Sequence, residues 1–148
     1  MHIRAAVGED IARLAEIEIF NYRLKFYPIF RNDDFYFSEL TVPAGMEEYR
    51  SHPLLLQQTY VYDDGVVKGF IRVQGTEIQK LFVEPVLQRQ GIGSALLQYA
   101  VNTLGARTLW ALEKNTPALA FYAKQGFHPN GRRKLETGTA EYLIELQR

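Results

Sequence analysis

The sequence predicts one α+β domain: a mixed, mostly antiparallel sheet flanked by helices. Three observations point there. Strand-like and helix-like stretches follow in the order strand, helix, irregular aromatic segment, strands, helix, strand, helix, strands. Asp64-Gly65 stands between two β-rich runs, a strong two-residue hairpin signal. A strand, a turn with two glycines and an amphipathic helix then follow one another between Glu77 and Leu104. The chain has 148 residues, the length of one domain covering residues 1–148 and enough to bury a substantial core.

Composition narrows the function. Apolar residues are 47% and charged residues 23%, ordinary for a folded globular chain. Seventeen Lys and Arg balance seventeen Asp and Glu, which argues against nucleic acid as a partner. The chain has no Cys, so disulfides, thiolate zinc sites and a cysteine nucleophile are excluded. His2, His52 and His128 have no metal-ligand spacing, and no metal is expected. No 18-residue apolar run is present, so no membrane partner is expected, and the default compartment is the cytoplasm. The zero total hides a split. Residues 1–74 hold 8 basic and 11 acidic side chains (−3), residues 75–148 hold 9 and 6 (+3). The split fits an anionic ligand on the C-terminal half and a cationic or neutral one on the other; it also fits chance.

The elements are justified in turn. Ile3 to Val7 alternates as a short strand, and Glu9 and Asp10 suit the positive start of a helix carrying Ile11, Leu14, Ala15 and Ile17. Residues 20–37 hold 8 of the 19 aromatic residues, and Pro28 is expected to prevent a regular helix there. These rings either pack beneath a loop or wall a pocket, with Tyr22, Tyr27 and Tyr36 as candidate acceptor-binding residues. A short helix using Met46 and Tyr49 follows Pro43. Strands are expected over 57–63, 66–73 and 77–83, where Pro85 ends the third. A helix over 91–104 carries apolar stripes on two sides and stops at Gly105. A strand spans 107–112. Thr116 and Pro117 then open a helix as N-cap and first residue, and Gly126 closes it. Strands over 127–135 and 140–146, joined across Gly138, complete the sheet.

The turn before the second long helix carries the chemistry. A helix N-terminus offers unpaired N–H groups and partial positive charge, a ready anion site. Gly91 and Gly93 allow a phosphate close to the backbone, and Arg89 can add a charge-assisted contact. A Walker A loop would need Gly-Lys-Ser/Thr, which is missing. A Rossmann fingerprint would need a small residue at 96, which is Leu, and a preceding βαβ unit.

Gln88-x-x-Gly91-x-Gly93, placed after a strand ending Phe82-Val83-Glu84-Pro85, resembles the signature of the GNAT superfamily of N-acetyltransferases. A second stretch, Asn115-x-x-Ala118-x-x-Phe121-Tyr122-x-x-x-Gly126-Phe127, is similar to that family's Asn-to-Gly-Phe block at the expected separation. The likeness covers residues 57–135 well and the first helix loosely; it leaves the aromatic segment uncovered.

The resemblance implies the GNAT fold, with acetyl-CoA as co-substrate. Its pyrophosphate would lie on Gln88, Arg89, Gln90, Gly91, Ile92, Gly93 and Ser94. Its pantetheine arm would pair with the backbone of Leu81, Phe82 and Val83, with a backbone N–H there steadying the oxyanion. Asn115 would contact cofactor or water. Tyr122 would protonate the departing thiolate, as a neutral phenol can. By residue type alone, Tyr122 also fits a core ring beside Phe121. Glu77 is the expected general base, at the spacing seen in the histone-acetylating branch, or else an ordered water serves. Strict alternation puts Glu77 on the face of Leu81 and Val83, and it equally fits a solvated hairpin residue. Glu113 is the second choice, while Glu84 is expected to be solvated. Arg132-Arg133-Lys134 fits a solvated basic face or a lure for cofactor phosphates. The implied reaction is direct acetyl transfer to a primary amine of a small molecule or peptide, by a monomer or homodimer. A CoA-binding sensor without turnover is the alternative.

Overall fold

The computed structural model describes residues 2–148. Seven strands form one sheet: β1 Ile3–Ala5, β2 Thr59–Asp63, β3 Val67–Gln74, β4 Glu77–Val83, β5 Thr108–Leu112, β6 His128–Leu135 and β7 Tyr142–Gln147. Their order is β1-β2-β3-β4-β5-β7-β6, and every neighbouring pair is antiparallel except β4 with β5. The single parallel contact follows from connectivity. A crossover helix, α5 Ile92–Leu104, links β4 to β5, as parallel neighbours require.

The middle of the sheet buries both faces. On one side α5 packs Ile92, Leu96, Leu97, Ala100 and Val101 against Ile71, Val73, Ile78 and Val83. Gly69 lets α5 come this close: a Cβ there would stand 3.2 Å from a Leu96 methyl and 2.9 Å from the Phe82 carbonyl oxygen. On the other side, helix α1 Ile11–Asn21 and helix α3 Val42–Ser51 bring Leu14, Ile17 and Tyr49 onto Val61, Val67 and Phe70. Shared apolar burial on both faces holds the layers together, at roughly 25 cal/mol per Å².

Three expectations are changed or sharpened. Pro28 goes with an irregular helix, as expected, but it does not break the helical path. The chain stays helical from Ile11 to Phe30, through a π-turn Tyr22–Phe26 and a short helix α2 Tyr27–Phe30. Pro28 sits in the first turn of α2, where its missing N–H costs little, and the wider turn before it absorbs the change of register. Asn115, not Thr116, takes the cap position of helix α6 Thr116–Lys124. A short helix α4 Pro53–Gln57 occupies the run before β2, so β2 starts at Thr59.

A fourth change bears on the site. The β3–β4 register runs Arg72 to Lys80 and then Val73 to Ile78, leaving Gln79 as an extra residue. A bulge of this kind reverses the side on which later residues point. Ile78, Leu81 and Val83 therefore share the α5 core, and Glu77 is not on their face.

Candidate active site

β4 and β5 pair only at Glu77–Thr108 and Ile78–Leu109. Beyond that they diverge, leaving a V-shaped gap that opens into a cleft of about 1940 Å³. The walls are the open end of β4, β5, the 88–94 turn, α6, the aromatic segment and the β6–β7 loop.

At one end lies the turn. Pro85–Leu87 forms a single 3-10 turn, then Arg89 and Gly91 both adopt positive φ, +67° and +82°. Gly91 caps α5 without any side-chain bond, and the first helical bond is Ala95 N–H to the Gly91 carbonyl at 3.0 Å. The amides of Ile92, Gly93 and Ser94 therefore have no partner within the helix. Nothing lies within 4 Å of a Cβ built on Gly91, so the turn is open as well as left-handed. A non-glycine residue at positive φ is a strained conformation that surrounding structure must hold in place. Gln88 does the holding. Its amide nitrogen donates to Asn21 Oδ1 at 3.1 Å and to the Val83 carbonyl at 3.2 Å, and its Oε1 accepts from Lys25 Nζ at 2.8 Å. Ser94 Oγ accepts from Gln125 Nε2 at 3.0 Å, tying the helix start to the end of α6.

Burial, and then the nearby charge of Arg89, lowers the pKa of Lys25. Two cations, Lys25 and Arg89, thus stand at the turn. Lys25 belongs to the acidic half of the chain, so the charge split does not map onto two separate ends of the cleft.

Tyr122 lies on the α6 wall, its ring packed edge-on to Phe121 and Phe127 at 5.3 and 6.2 Å. Burial pushes its hydroxyl up to about 12, so it keeps its proton at neutral pH. Asn115 and the residues Leu81, Phe82 and Val83 line the same space.

The opposite end is aromatic. Tyr22 packs on Phe26 and Phe82 at 5.0 and 5.3 Å. Tyr36, in a second π-turn Phe35–Glu39, is 4% exposed and lines the cleft. Burial first, then Tyr22 and Glu136 across the opening, pushes its hydroxyl up to about 12. Glu18 and Lys80, neither singled out by any motif, form an ion pair on the cleft floor, with Glu18 buried and Lys80 half-buried. Burial opposes the charge on Lys80, yet Tyr22 and Glu18 hold its pKa above the usual value.

Several candidate residues stand elsewhere. Glu77 is at the closed end of the V, outside the cleft lining, where it accepts from Gln79 Nε2 at 2.6 Å. Gln90 is exposed in the turn and is not among the lining residues. Tyr27 donates its hydroxyl proton to Asp33 on the outside. Glu113 pairs with Arg133 at 3.2 Å. Glu84 is not solvated: Arg13 holds it at 3.0 Å, with the Glu84 side chain only 14% exposed. In the basic run, Arg132 and Lys134 lie over the Trp110 ring at 5.6 and 4.2 Å and Arg133 over Tyr142 at 3.4 Å, while all three stay exposed, the solvated face expected. Glu18, Asn21, Lys25 and Lys80 escaped sequence reading because their partners lie more than 60 residues away.

Residues 56–129 match the acetyltransferase (GNAT) domain family. The peptidyl-lysine N-acetyltransferase YiaC of Escherichia coli (strain K12) is 40% identical over 73 residues, 48% of this chain and 50% of that protein. The chain is aligned with only about half the length of the curated relatives it matches. Among solved structures, apo YjaB from Escherichia coli superposes with a TM-score of 0.71 at 22% identity, over 98% of this chain and 95% of that one. The PaiA N-acetyltransferase from Thermoplasma acidophilum, solved with coenzyme A, superposes with a TM-score of 0.68 at 19% identity, over 99% and 98%.

Proposed function

The chain belongs to the GNAT acetyltransferase family, and from that premise we propose that it transfers an acetyl group from acetyl-CoA to a primary amine of a small molecule or peptide. The observation that carries the reading is the V between β4 and β5, which opens beside an uncapped helix N-terminus with Tyr122 on its wall. The residues fit the co-substrate. A pyrophosphate suits the free amides of Ile92 to Ser94, with Arg89 and Lys25 close by. The open Gly91 leaves room for phosphate oxygens against the backbone. An extended pantetheine chain suits the stretch of β4 that β5 leaves unpaired. The names of the relatives support a lysine-like amine as acceptor.

Acetyl-CoA supplies the activated acyl carbon. The chain supplies position and protons. Backbone N–H groups on the open stretch of β4 are placed to steady developing negative charge on the acyl oxygen. Tyr122 Oη holds a proton for the departing sulfur. The amine must first lose its own proton. Glu77 and Glu113 both lie outside the lining, so we assign that role to water entering the cleft. The absence of Cys fits direct attack within a ternary complex.

The Tyr122→Phe variant tests this in a thiol-release assay. We expect kcat to fall by about 100-fold or more, the usual worth of a positioned general acid, with CoA affinity unchanged. The pH profile adds a sign. A phenol raised to about 12 stays protonated through pH 10, so the wild type should show no alkaline loss of kcat from this group below that pH. An unchanged kcat in the variant would remove Tyr122 from the mechanism. CoA binding without transfer across a broad amine panel would favour a sensor.

A further inference from the structure

Tyr36 lines the cleft and is only 4% exposed. Three rings fix its position: the centres of Tyr27, Phe30 and Phe35 stand 5.8, 6.4 and 5.1 Å from its own. Its carbonyl accepts from Arg23 Nε at 3.3 Å, but its hydroxyl has no hydrogen-bond partner among the described residues. The sealed side-chain atoms without a partner are Tyr49 Oη and Arg72 Nε, and the Tyr36 hydroxyl is not one of them; it opens on the cleft. A buried, rigid phenol with a free polar end is a group waiting for a ligand.

The charges around it are uneven. Glu39 ends the turn that carries Tyr36, and it lines the cleft. Glu136, on the β6–β7 loop, lines the same space and, after burial and Tyr22, is the group that acts on the Tyr36 hydroxyl. Its Oε1 accepts only from its neighbour's backbone, Thr137 N–H at 3.1 Å. Glu48 adds a third carboxylate from α3, on the stripe of Thr41 and Ala44. None of the three has an ion pair among the described residues. The cations that line the cleft are committed or distant. Lys80 is paired with Glu18 and Lys114 with Glu141, Lys25 and Arg89 stand at the turn, and Lys124 ends α6. Ring faces with surplus carboxylates are the chemistry that recognises an organic cation. The rings attract it, the carboxylates pair with its N–H groups, and the phenol oxygen accepts one of them.

We propose that the acceptor carries a second cationic group, seated at the aromatic end against Tyr36, Glu39 and Glu136, while the amine that reacts faces the thioester. The proposal rests on the acetyltransferase reading and narrows its substrate class. An acceptor with a single amine leaves the Tyr36 hydroxyl and both carboxylates to water; a dication engages all three. The second charge can belong to a diamine or to a basic side chain beside a peptide lysine, and the test separates the two. The rival is that the carboxylates form a solvated rim, in which case the site is blind to a second charge.

The test is calorimetric binding to the CoA-loaded full chain with pairs that differ by the second cationic group. Cadaverine is compared with pentylamine. An end-blocked dipeptide of lysine and arginine is compared, in both orders, with one of lysine and citrulline, which keeps the shape and loses the charge. At least one dicationic member should bind about fivefold tighter than its partner, the worth of one good cation–π or ionic contact. The pair that shows it identifies the source. The preference should shrink to less than about twofold in the double variant Glu39→Gln with Glu136→Gln, and it should fall by about twofold in Tyr36→Phe, which deletes one oxygen. Ionic strength of about 1 M, with a Debye length of about 3 Å, should shrink it too. Each comparison is a ratio within one pair, so a general weakening of the fold does not imitate the effect. Equal binding within every pair, no measurable binding by any member, or a preference that survives in the double variant overturns the proposal. Acetyl transfer is read separately. Turnover blind to a second charge upholds the acetyltransferase reading and sinks this one. A preference for the dication in binding without any transfer does the reverse.

Discussion

The two ends of the cleft are built by different means. The 88–94 turn works through backbone: positive φ at Arg89 and Gly91, and free amides at the start of α5. The aromatic end works through side chains brought together over long distances, such as Tyr22 on Phe82 and Glu18 on Lys80. A backbone site tolerates few changes of conformation but many of side chain. A side-chain site is the reverse. On the proposed reading, with co-substrate at the turn and acceptor at the aromatic end, the difference teaches how two unlike ligand parts can share one cleft.

Gly91→Ala should break the backbone end most sharply. No atom blocks the new Cβ, so the cost is conformational alone, about 1–2 kcal/mol for a left-handed residue. If the turn relaxes to escape that strain, CoA affinity measured by calorimetry falls about tenfold. An unchanged affinity would show that the turn is not the seat of the phosphates. Tyr22→Leu probes the other end. It removes the ring that packs on Phe26 and Phe82 and lies 5.2 Å from Lys80 Nζ. We expect the acceptor KM to rise about three- to tenfold with CoA affinity unchanged, the range of one lost aromatic or cation–π contact. A matching fall in CoA affinity would show that the two ends are not separable. Tyr27→Phe is the smallest step. Its hydroxyl meets Asp33 on the outside, so kcat and KM should both stay within about twofold, as for surface changes generally.

This contrast also explains what was legible in the sequence. Glu77–Val83 was readable to the residue as β4, and Gly105 as the left-handed stop of α5 at φ +76°, because turn and cap chemistry is local. The turn at 88–94 was readable for the same reason. The bulge at Gln79 was not, since it is defined only against β3, and with it went the facing of Glu77. The π-turns at 22–26 and 35–39 were missed because wide turns have no short signature and are fixed by packing. The ion pair between Arg13 and Glu84 joins residues 71 apart, beyond any periodicity.

The V between β4 and β5 has one more consequence. An unpaired strand edge is normally an invitation to aggregate, and proteins guard the margins of their sheets with charge, proline or irregularity. Here an open edge lies in the middle of a sheet, between two strands already in place. It is closed at one end by the Glu77–Thr108 and Ile78–Leu109 rungs, so no foreign strand can run through it. Only a slender chain entering end-on, and stopping there, can dock. The wedge thus protects the protein from its own stickiness, and it does so by shape rather than by sequence.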